Sequence, residues 1–229
     1  MMKPKINLGS ETKDKIIFVD LHGVLLGSSL QEAWVQFLLN RVAEGYQLIV
    51  TTNSASLERS VIEKLIPQLA DYWSLIFSAR AALCNFVDKR KYERVAIIGK
   101  QGLKRDIAAL PYVKKSGDVG KVEQPDCIVL ARDLNANLKQ LQQVAYWIEQ
   151  GVDCVLGSRD LAVPSDNGWE MGPGIMKVIV QSVLASIDFS PIVVGKPSSN
   201  YLHLNGFDPS ATDTLYVLCL LYTSDAADD

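Results

Sequence analysis

The chain has 229 residues, of which 48% are hydrophobic and 21% are charged, and its formal net charge is −3. This composition is typical of a soluble globular protein with one large domain or two small ones. The small negative charge gives no general affinity for nucleic acid or an anionic membrane, so we expect neither as a partner. No apolar run approaches the roughly 20 residues of a membrane-spanning helix, and the polar segment Met1–Asp14 lacks the apolar centre of a signal peptide.

The four cysteines are far apart in the sequence and form no CxxC pair. Most of them lie in apolar runs, and their positions are Cys84, Cys127, Cys154 and Cys219. We therefore expect buried free thiols in a reducing cytosol rather than disulfides or a metal site. This pattern predicts a cytoplasmic protein.

The first predicted strand ends in a carboxylate. Residues 16–19 form an apolar run that leads directly into Asp20 and then into a turn that contains Gly23. Such a run is typical of a strand buried on both faces at the centre of a parallel sheet. Asp20 would then lie at the carboxyl end of that strand, where open α/β sheets bind their ligands. The alternative is that Asp20 is a helix N-cap or a turn residue.

Helices and strands alternate after this first strand. Apolar residues at helical spacing predict a helix that ends near Gly45, and residues 47–50 form a second buried strand. A second helix is predicted over residues 57–69 and a third strand over residues 74–78. This βαβαβ order predicts the α/β class with a doubly wound parallel sheet.

A second α/β block follows the first. We predict helices over residues 80–88, 103–110, 138–148 and 175–187, and strands over residues 94–98, 127–130, 154–156, 191–194 and 214–218. The segments 112–124 and 157–174 are rich in polar and turn-forming residues, and we predict loops there.

Three of the predicted strands end in side chains that suit a phosphoryl group. Asp20 follows the first strand, Thr51 follows the second and Lys196 follows a later one. In one parallel sheet all three ends would share an edge. The carboxylate could attack phosphorus, Thr51, Thr52 and Asn53 could bind the non-bridging oxygens, and the lysine could neutralise charge. Taken singly, Thr51 could be a helix N-cap or turn residue, and Lys196 a solvated loop residue.

These motifs resemble those of the haloacid dehalogenase superfamily, and in particular subfamily IIA, whose members carry a large α/β cap. That subfamily includes phosphatases of phosphoglycolate, pyridoxal phosphate, nucleotides and nitrophenyl phosphate. The motif DxDGxL reads here as residues 20–25 (DLHGVL), the second motif as residues 50–54 (VTTNS) and the third as residues 194–198 (VGKPS). The resemblance covers Lys15 to about Leu218. It implies a Rossmann-like core formed by residues 1–90 and 191–218, with the cap inserted over residues 91–190.

The resemblance also implies roles for individual residues. Asp20 would be the phosphorylated nucleophile and a Mg²⁺ ligand, and the backbone carbonyl of His22 would be a second ligand. Phosphate would be bound by Thr51, Thr52, Asn53 and Lys196. The implied partners are a small phosphorylated metabolite and a second copy of the chain, bound through the cap. The segment Ser158-Arg159-Asp160 aligns with one that lies near the substrate in relatives, so Arg159 and Asp160 are further candidates, with a structural salt bridge as the alternative.

One departure from the family pattern is His22, which stands where the family has a second aspartate. That aspartate protonates the leaving group and later activates water. An imidazole can transfer protons near neutral pH, although a neighbouring cation disfavours its protonation. The sequence leaves three interpretations open: a working phosphatase, a catalytically decayed relative that binds a phosphorylated metabolite, and a structural or partner-binding protein that uses the cap surface.

The second departure is at the C-terminus. The family's fourth motif, GDxxxxD, does not follow the apolar run Thr214–Leu218. The segment Cys219–Asp229 instead reads as a translated sequencing adapter, with a genuine short acidic tail as the alternative. We therefore expect the natural protein to continue past Leu218. We expect the chain as written to be inactive and poorly soluble, because Mg²⁺ would lack carboxylate ligands and the last strand would be an apolar sheet edge.

Overall fold

The computed structural model describes residues 15–26, 31–165, 168–184, 187–207 and 214–218. The chain divides into two compact units. The first draws on Met1–Thr52, Arg59–Phe77 and Phe207–Asp229, and the second on Asn53–Glu58 and Ser78–Gly206. The division predicted from the sequence, into a core and an inserted cap, has other boundaries and stays a prediction. The predicted non-native tail Cys219–Asp229 lies outside the described residues.

Strands and helices alternate along most of the chain. In the first third they are β1 (Lys15–Asp20), α1 (Gln31–Ala43), β2 (Gln47–Thr52), α2 (Arg59–Leu65), a 3₁₀ helix (Pro67–Tyr72) and β3 (Trp73–Ser78). They continue with α3 (Ala79–Arg90), β4 (Arg94–Ile98), α4 (Gln101–Ala108), β5 (Lys115–Asp118), β6 (Cys127–Leu130) and α5 (Leu138–Glu149). The last are β7 (Asp153–Leu156), β8 (Ala162–Ser165), β9 (Gly168–Met171), α6 (Gly174–Val183), β10 (Ile192–Val193), α7 (Asn200–Leu204) and β11 (Thr214–Leu218). Within the described ranges, no helix is both long and apolar enough to cross a membrane.

The first unit is built on a four-stranded sheet with the order β11-β1-β2-β3. Strand β1 runs parallel to both of its neighbours, β11 and β2. Residues 16–19 of β1 are buried because the strand has a neighbour on each side and is covered on both faces. The prediction of a central strand buried on both faces is therefore confirmed, and it places Asp20 at the carboxyl end of that strand.

Three aromatic rings pack together in the core of the first unit. The ring centroid of Phe18, on β1, lies 5.6 Å from that of Phe77 and 5.0 Å from that of Phe207. Phe77 and Phe207 are 6.2 Å apart. These separations and tilted orientations are favourable for aromatic pairs, and each ring buries a large apolar area. The cluster anchors β1 and β3 to the segment that follows α7.

The second predicted helix is shorter than the sequence pattern suggests. A helix was expected over residues 57–69, but α2 ends at Leu65 and a 3₁₀ helix begins at Pro67. Proline lacks an N–H group and disfavours the α conformation in the residue before it, which ends α2 at this point. Ile62, Ile66 and Leu69 are buried, whereas two other apolar residues of the pattern, Val61 and Leu65, are exposed.

The second unit contains a five-stranded sheet with the order β10-β7-β6-β4-β5, in which neighbouring strands are parallel. Alternate residues of its central strands face opposite sides, as the period of two requires. One face packs against α5 and α6, and the other against α3, α4 and α7. Parallel strands with helices on both faces confirm the predicted α/β, doubly wound class.

Two segments predicted as loops contain strands. Strand β5 lies within the predicted loop 112–124, and the antiparallel pair β8 and β9 lies within the predicted loop 157–174. The sequence of β5 is KSGD, which has no apolar residue. The strand lies at the edge of its sheet, where polar residues are tolerated. Strand β8 contains a proline and β9 begins with a glycine. Both residues are unfavourable within strands, so the sequence alone does not predict strands here.

The described cysteines are free thiols. Cys127 is on β6 and Cys154 is on the neighbouring strand β7, but the two side chains belong to the clusters on opposite faces of the sheet. Cys84 is also free and lies on α3. The prediction of free rather than disulfide-bonded cysteines is confirmed for these three residues, while Cys219 lies outside the described part of the chain.

We expect these three thiols to be unreactive in the folded protein at pH 8. Burial, and to a lesser extent the charge of Asp106, raises the pKa of Cys84 to about 12. Burial also raises the pKa values of Cys127 and Cys154. At pH 8 a thiol with a pKa of 12 is ionised in about one molecule in ten thousand, and the thiolate is the nucleophile. Alkylation by iodoacetamide, read by peptide mass spectrometry, should be slow until the chain is denatured; equal rates in both states would contradict this.

Candidate active site

The turn after β1 holds the carboxyl end of the strand in a compact loop. The Leu21 carbonyl accepts hydrogen bonds from the backbone N–H groups of Leu25 at 3.1 Å and Leu26 at 2.7 Å. The Gly23 N–H donates to the carbonyl of Leu26 at 2.7 Å, and Gly23 has a φ of 81°. This positive φ is strained for other residues, which explains the glycine in the motif. The loop thus fixes the backbone immediately after Asp20.

Asp20 and Thr51 lie side by side at the carboxyl ends of β1 and β2. They are register partners, and the Leu21 N–H donates to the Thr51 carbonyl at 3.0 Å. Asp20 is 5% exposed and Thr51 is 6% exposed. Neither residue is a helix N-cap, since α1 begins at Gln31 and α2 begins at Arg59. The structure thus brings together a buried carboxylate and a buried hydroxyl, as the sequence predicts.

The two threonine hydroxyls have different neighbours. The Thr51 Oγ1 donates to the carbonyl of Val19 at 3.3 Å. The Thr52 Oγ1 lies 3.5 Å from the Nδ1 of His22, and Thr52 is only 1% exposed. His22 is therefore placed beside the second predicted phosphate-binding residue, within the same unit as Asp20. A protonated Nδ1 would donate to this hydroxyl, and a neutral one could accept from it.

The residues present fit a hard cation in the type of ligand atom they offer. Asp20 supplies carboxylate oxygens and His22 a backbone carbonyl, and Mg²⁺ and Ca²⁺ both prefer oxygen ligands. The described residues contain no group of three or more histidine, cysteine, aspartate or glutamate side chains that could hold a metal ion. These two residues would therefore form only part of a coordination shell.

Asn53 and Lys196 belong to the second unit, where their contacts are close. The Lys196 N–H donates to Asn53 Oδ1 at 2.8 Å, and Asn53 Nδ2 donates to the Lys196 carbonyl at 3.1 Å. The Asn53 amide thus binds both polar groups of the Lys196 main chain. The sequence predicts Asn53 as a phosphate ligand, and the structure adds a contact that sequence reasoning missed.

Asp160 joins this same group of residues. Asn53 Nδ2 donates to Asp160 Oδ2 at 3.1 Å, and the Ser158 hydroxyl donates to the same oxygen at 2.8 Å. Ser158 is fully buried, whereas Arg159 is exposed and lines a surface cleft of about 410 Å³ with Pro197 and its neighbours. The two candidates of this segment therefore differ, with Asp160 turned to Asn53 and Arg159 to the surface cleft.

The strand before Lys196 is not part of the sheet that carries Asp20. We expected the three strand ends to share one sheet edge, but β10 pairs with β7 in the five-stranded sheet. That expectation is wrong. Among the described residues, Asp20 and β10 belong to two separate sheets, and an apolar run as short as β10 carries no sequence signal of the sheet to which it belongs. Lys196 remains a predicted phosphate-binding residue.

A buried arginine holds the segment that follows Asn53. Arg80, which is 8% exposed, contacts Asp106 at 2.7 Å and Glu58 at 3.6 Å. It also donates to the Gly102 carbonyl at 3.0 Å. Burial disfavours the charged guanidinium, but the hydrogen bond and charge of Asp106 and the charge of Glu58 outweigh it and raise the pKa of Arg80. The charge pairs thus stabilise a buried cation beside α4.

Replacing Arg80 by methionine should lower the free energy of unfolding by about 2 kcal/mol, because hydrogen bonds to charged groups at a buried position are lost. Arg105 provides a matched control, since it contacts the same Glu58 at 2.9 Å but is 66% exposed. Replacing Arg105 by methionine should cost less than about 0.5 kcal/mol. Urea denaturation followed by circular dichroism measures both changes. Equal effects of the two substitutions would contradict this account.

The α/β fold is shared with solved structures of phosphatases. No protein-family model matches the sequence, and no curated protein is similar to it at a significant level. Solved structures do match. A mutant of the thermostable p-nitrophenylphosphatase from Bacillus stearothermophilus is 17% identical with a TM-score of 0.68, and the match covers 90% of this chain and 79% of that one.

Two further structures extend this similarity. The p-nitrophenyl phosphatase from Archaeoglobus fulgidus is 18% identical, with a TM-score of 0.67 and coverage of 86% of this chain and 76% of that one. The glycerol phosphate phosphatase from Mycobacterium tuberculosis, solved in complex with calcium, is 18% identical, with a TM-score of 0.65. The match covers 82% of this chain and 55% of that one. At this level of identity the similarity confirms the fold that the sequence motifs predict.

Proposed function

We propose that the protein belongs to the haloacid dehalogenase superfamily and is, at full length, a Mg²⁺-dependent phosphatase-like hydrolase of small phosphomonoesters. The observation that carries this proposal is the buried carboxylate of Asp20, at the end of the central strand and beside Thr51. The shared fold with p-nitrophenyl and glycerol phosphate phosphatases supports it. The proposal includes a cytoplasmic location and a homodimer formed through the cap.

In the proposed reaction Asp20 is the nucleophile. One of its carboxylate oxygens forms a bond to phosphorus while the bond from phosphorus to the ester oxygen breaks, which leaves a phosphoaspartate. His22 gives a proton to the departing oxygen and later accepts one from the water that hydrolyses the phosphoaspartate. Thr51 and Thr52 bind the non-bridging oxygens, and the ammonium group of Lys196 offsets their charge.

A magnesium ion would neutralise charge on the phosphoryl group when bound. Asp20 would hold it through a carboxylate oxygen and His22 through its backbone carbonyl. The remaining ligands would be water, phosphate oxygens and groups beyond the described residues, since Mg²⁺ usually keeps several waters and binds substrate phosphates. Asp20 and His22 would thus supply two of the ligands of the Mg²⁺ ion.

A second candidate is a catalytically decayed relative that binds a phosphorylated metabolite. The observation in its favour is His22, which replaces the family's acid/base aspartate and lies beside the Thr52 hydroxyl. In such a protein Asp20, Thr51 and Thr52 would bind a ligand without transferring its phosphoryl group. A partner-binding protein that uses the cap surface is the third alternative, and it needs neither phosphate nor Mg²⁺.

One pair of measurements on the full-length protein separates these candidates. Hydrolysis of p-nitrophenyl phosphate is followed with Mg²⁺ and with a chelator, and binding of inorganic phosphate is measured by calorimetry under the same conditions. Hydrolysis that requires Mg²⁺ supports the enzyme. Phosphate binding without hydrolysis supports the decayed relative. Absence of both hydrolysis and phosphate binding would overturn both and leave the partner-binding alternative.

A further inference from the structure

We propose that Asp160 is a positioning residue, which sets the orientation of the Asn53 side-chain amide and thereby holds the main chain of Lys196 in place. The three residues lie far apart in the sequence but form one group in the second unit. Each link in the group is a hydrogen bond between 2.8 and 3.1 Å. A role for Asp160 in catalysis rests on the proposed function, whereas its effect on the Lys196 backbone does not.

The orientation of the Asn53 amide decides whether it can bind the Lys196 main chain. In the observed orientation Oδ1 faces the Lys196 N–H, and Nδ2 faces the Lys196 carbonyl. Rotation of the amide by 180° would place an oxygen against that carbonyl and an NH₂ group against the N–H. Both of these contacts are repulsive. The Asn53 amide can therefore bind the Lys196 main chain in one orientation only.

Asp160 favours the orientation that works. An ionised carboxylate only accepts hydrogen bonds, so it selects the NH₂ side of the amide. The contact from Asn53 Nδ2 to Asp160 Oδ2 is 3.1 Å, and hydrogen bonds to charged acceptors are roughly twice as strong as neutral ones. In the rotated amide, Oδ1 would face this carboxylate. Asp160 thus adds a third contact that is favourable only when Asn53 binds Lys196.

The carboxylate is itself held in place. The hydroxyl of Ser158, a fully buried residue, donates to Oδ2 at 2.8 Å, and the Gly174 N–H donates to the backbone carbonyl of Asp160 at 2.9 Å. Both the side chain and the main chain of Asp160 are therefore tied to neighbouring segments. A carboxylate with these contacts can orient the amide instead of following it.

The main chain before Lys196 has no spare room. A Cβ atom on Gly195 would lie 2.0 Å from the carbonyl oxygen of Gly157 and 2.9 Å from Asn53 Oδ1. Such distances are too short for any side chain, so the backbone of this segment packs directly against that of residue 157. A small change in the Asn53 amide would therefore be transmitted to the Lys196 backbone.

The test is the hydrogen-exchange rate of the Lys196 N–H, measured by nuclear magnetic resonance on the full chain. Replacing Asp160 by alanine should raise this rate about 10-fold, since the Asn53 amide loses its hydrogen bond to a charged group. Asp160→Asn should stay within about 3-fold of the parent, because its side-chain oxygen can still accept from Asn53. The control is Asp118→Ala, which removes a carboxylate paired with Lys104 and Lys121 elsewhere in the same unit. An unchanged rate in a folded Asp160→Ala variant would overturn the proposal.

A second pair of variants decides the matter if Asp160→Ala does not fold. Asn53→Asp places a carboxylate against Asp160 and should accelerate exchange at Lys196. Adding Asp160→Asn to it supplies a donor to the new carboxylate and should return the rate toward that of the parent. Coupling of this kind is expected only between residues in contact. Additive effects of the two substitutions would argue against the proposed link.

The exchange measurement is independent of turnover, so it separates this proposal from the proposed function. If the chain hydrolyses p-nitrophenyl phosphate, Asp160→Ala should lower kcat/KM about 10-fold without changing the shape of the pH profile, because Asp160 transfers no proton in the reaction. If no hydrolysis is detected but exchange at the Lys196 N–H still accelerates in Asp160→Ala, the proposed function is overturned and the positioning role is retained. If hydrolysis is detected but exchange at the Lys196 N–H does not change, the proposed function is retained and the positioning role is overturned.

Discussion

Replacing Asp20 by asparagine is expected to abolish phosphomonoester hydrolysis, with a loss on the order of 10⁵-fold or more in kcat. An amide of the same shape is not a nucleophile toward phosphorus, and it also removes the one anionic ligand that β1 offers to a cation. Because the side chain is buried at the end of a central strand, the isosteric change preserves packing. The release of nitrophenolate from p-nitrophenyl phosphate in Mg²⁺ measures the effect.

The control for this experiment is Asp71→Asn. Asp71 lies in the 3₁₀ helix of the same unit and is exposed, so its replacement should leave both activity and the circular dichroism spectrum unchanged. Acid-quenched samples should carry a phosphoryl group on the peptide that contains Asp20, and Asp20→Asn should lack it. Hydrolysis that survives in Asp20→Asn would mean that another group attacks phosphorus, and it would overturn the proposed mechanism.

Replacing His22 by aspartate is expected to lower kcat about 100-fold at pH 7. An imidazole can both donate and accept a proton in the pH range of most enzymes, which suits the two steps of the proposed reaction. If His22 is the working acid and base, its replacement removes the group that lies beside the Thr52 hydroxyl and that the site is arranged to use. The measurement is the pH dependence of kcat, whose optimum should move to lower pH in the variant.

His203 provides the control because it is the second of the two histidines in the chain and is exposed on α7. His203→Asp should retain the parent kcat and pH optimum. A large gain in turnover in His22→Asp would have the opposite meaning. It would show that the histidine suppresses an activity that the family's aspartate restores, as expected for a decayed enzyme.

The sequence predicted the parts of the fold that depend on local apolar patterns. Strands β1, β2, β4 and β6 each contain a short apolar run that is buried on both faces, and a continuous apolar run of this kind is distinctive in a sequence. Strand β5 was missed for the converse reason. It lies at a sheet edge, where a polar sequence is tolerated since backbone hydrogen bonds to β4 determine its conformation.

The candidate site was predictable where a residue lies at the end of such a run. Asp20 and Thr51 each follow an apolar strand, and the register between β1 and β2 brings them together. The contacts of Asn53 with Lys196 and Asp160 were not predictable, because no local pattern records which distant segments pack together. These contacts depend on a close approach of two backbones at Gly195. Nothing in the sequence distinguishes this glycine from the other glycines of the chain.

The pairing of β1 with β11 affects the order in which the protein folds during synthesis. Lys15 pairs with Thr214, whereas the five-stranded sheet forms from the intervening stretch between β4 and β10. Contacts between distant parts of the chain form slowly, and chains emerge from the ribosome N-terminus first. The five-stranded sheet can thus be complete before β11 is available to pair with β1. We expect the strand that carries Asp20 to be among the last parts of the nascent protein to become fully protected.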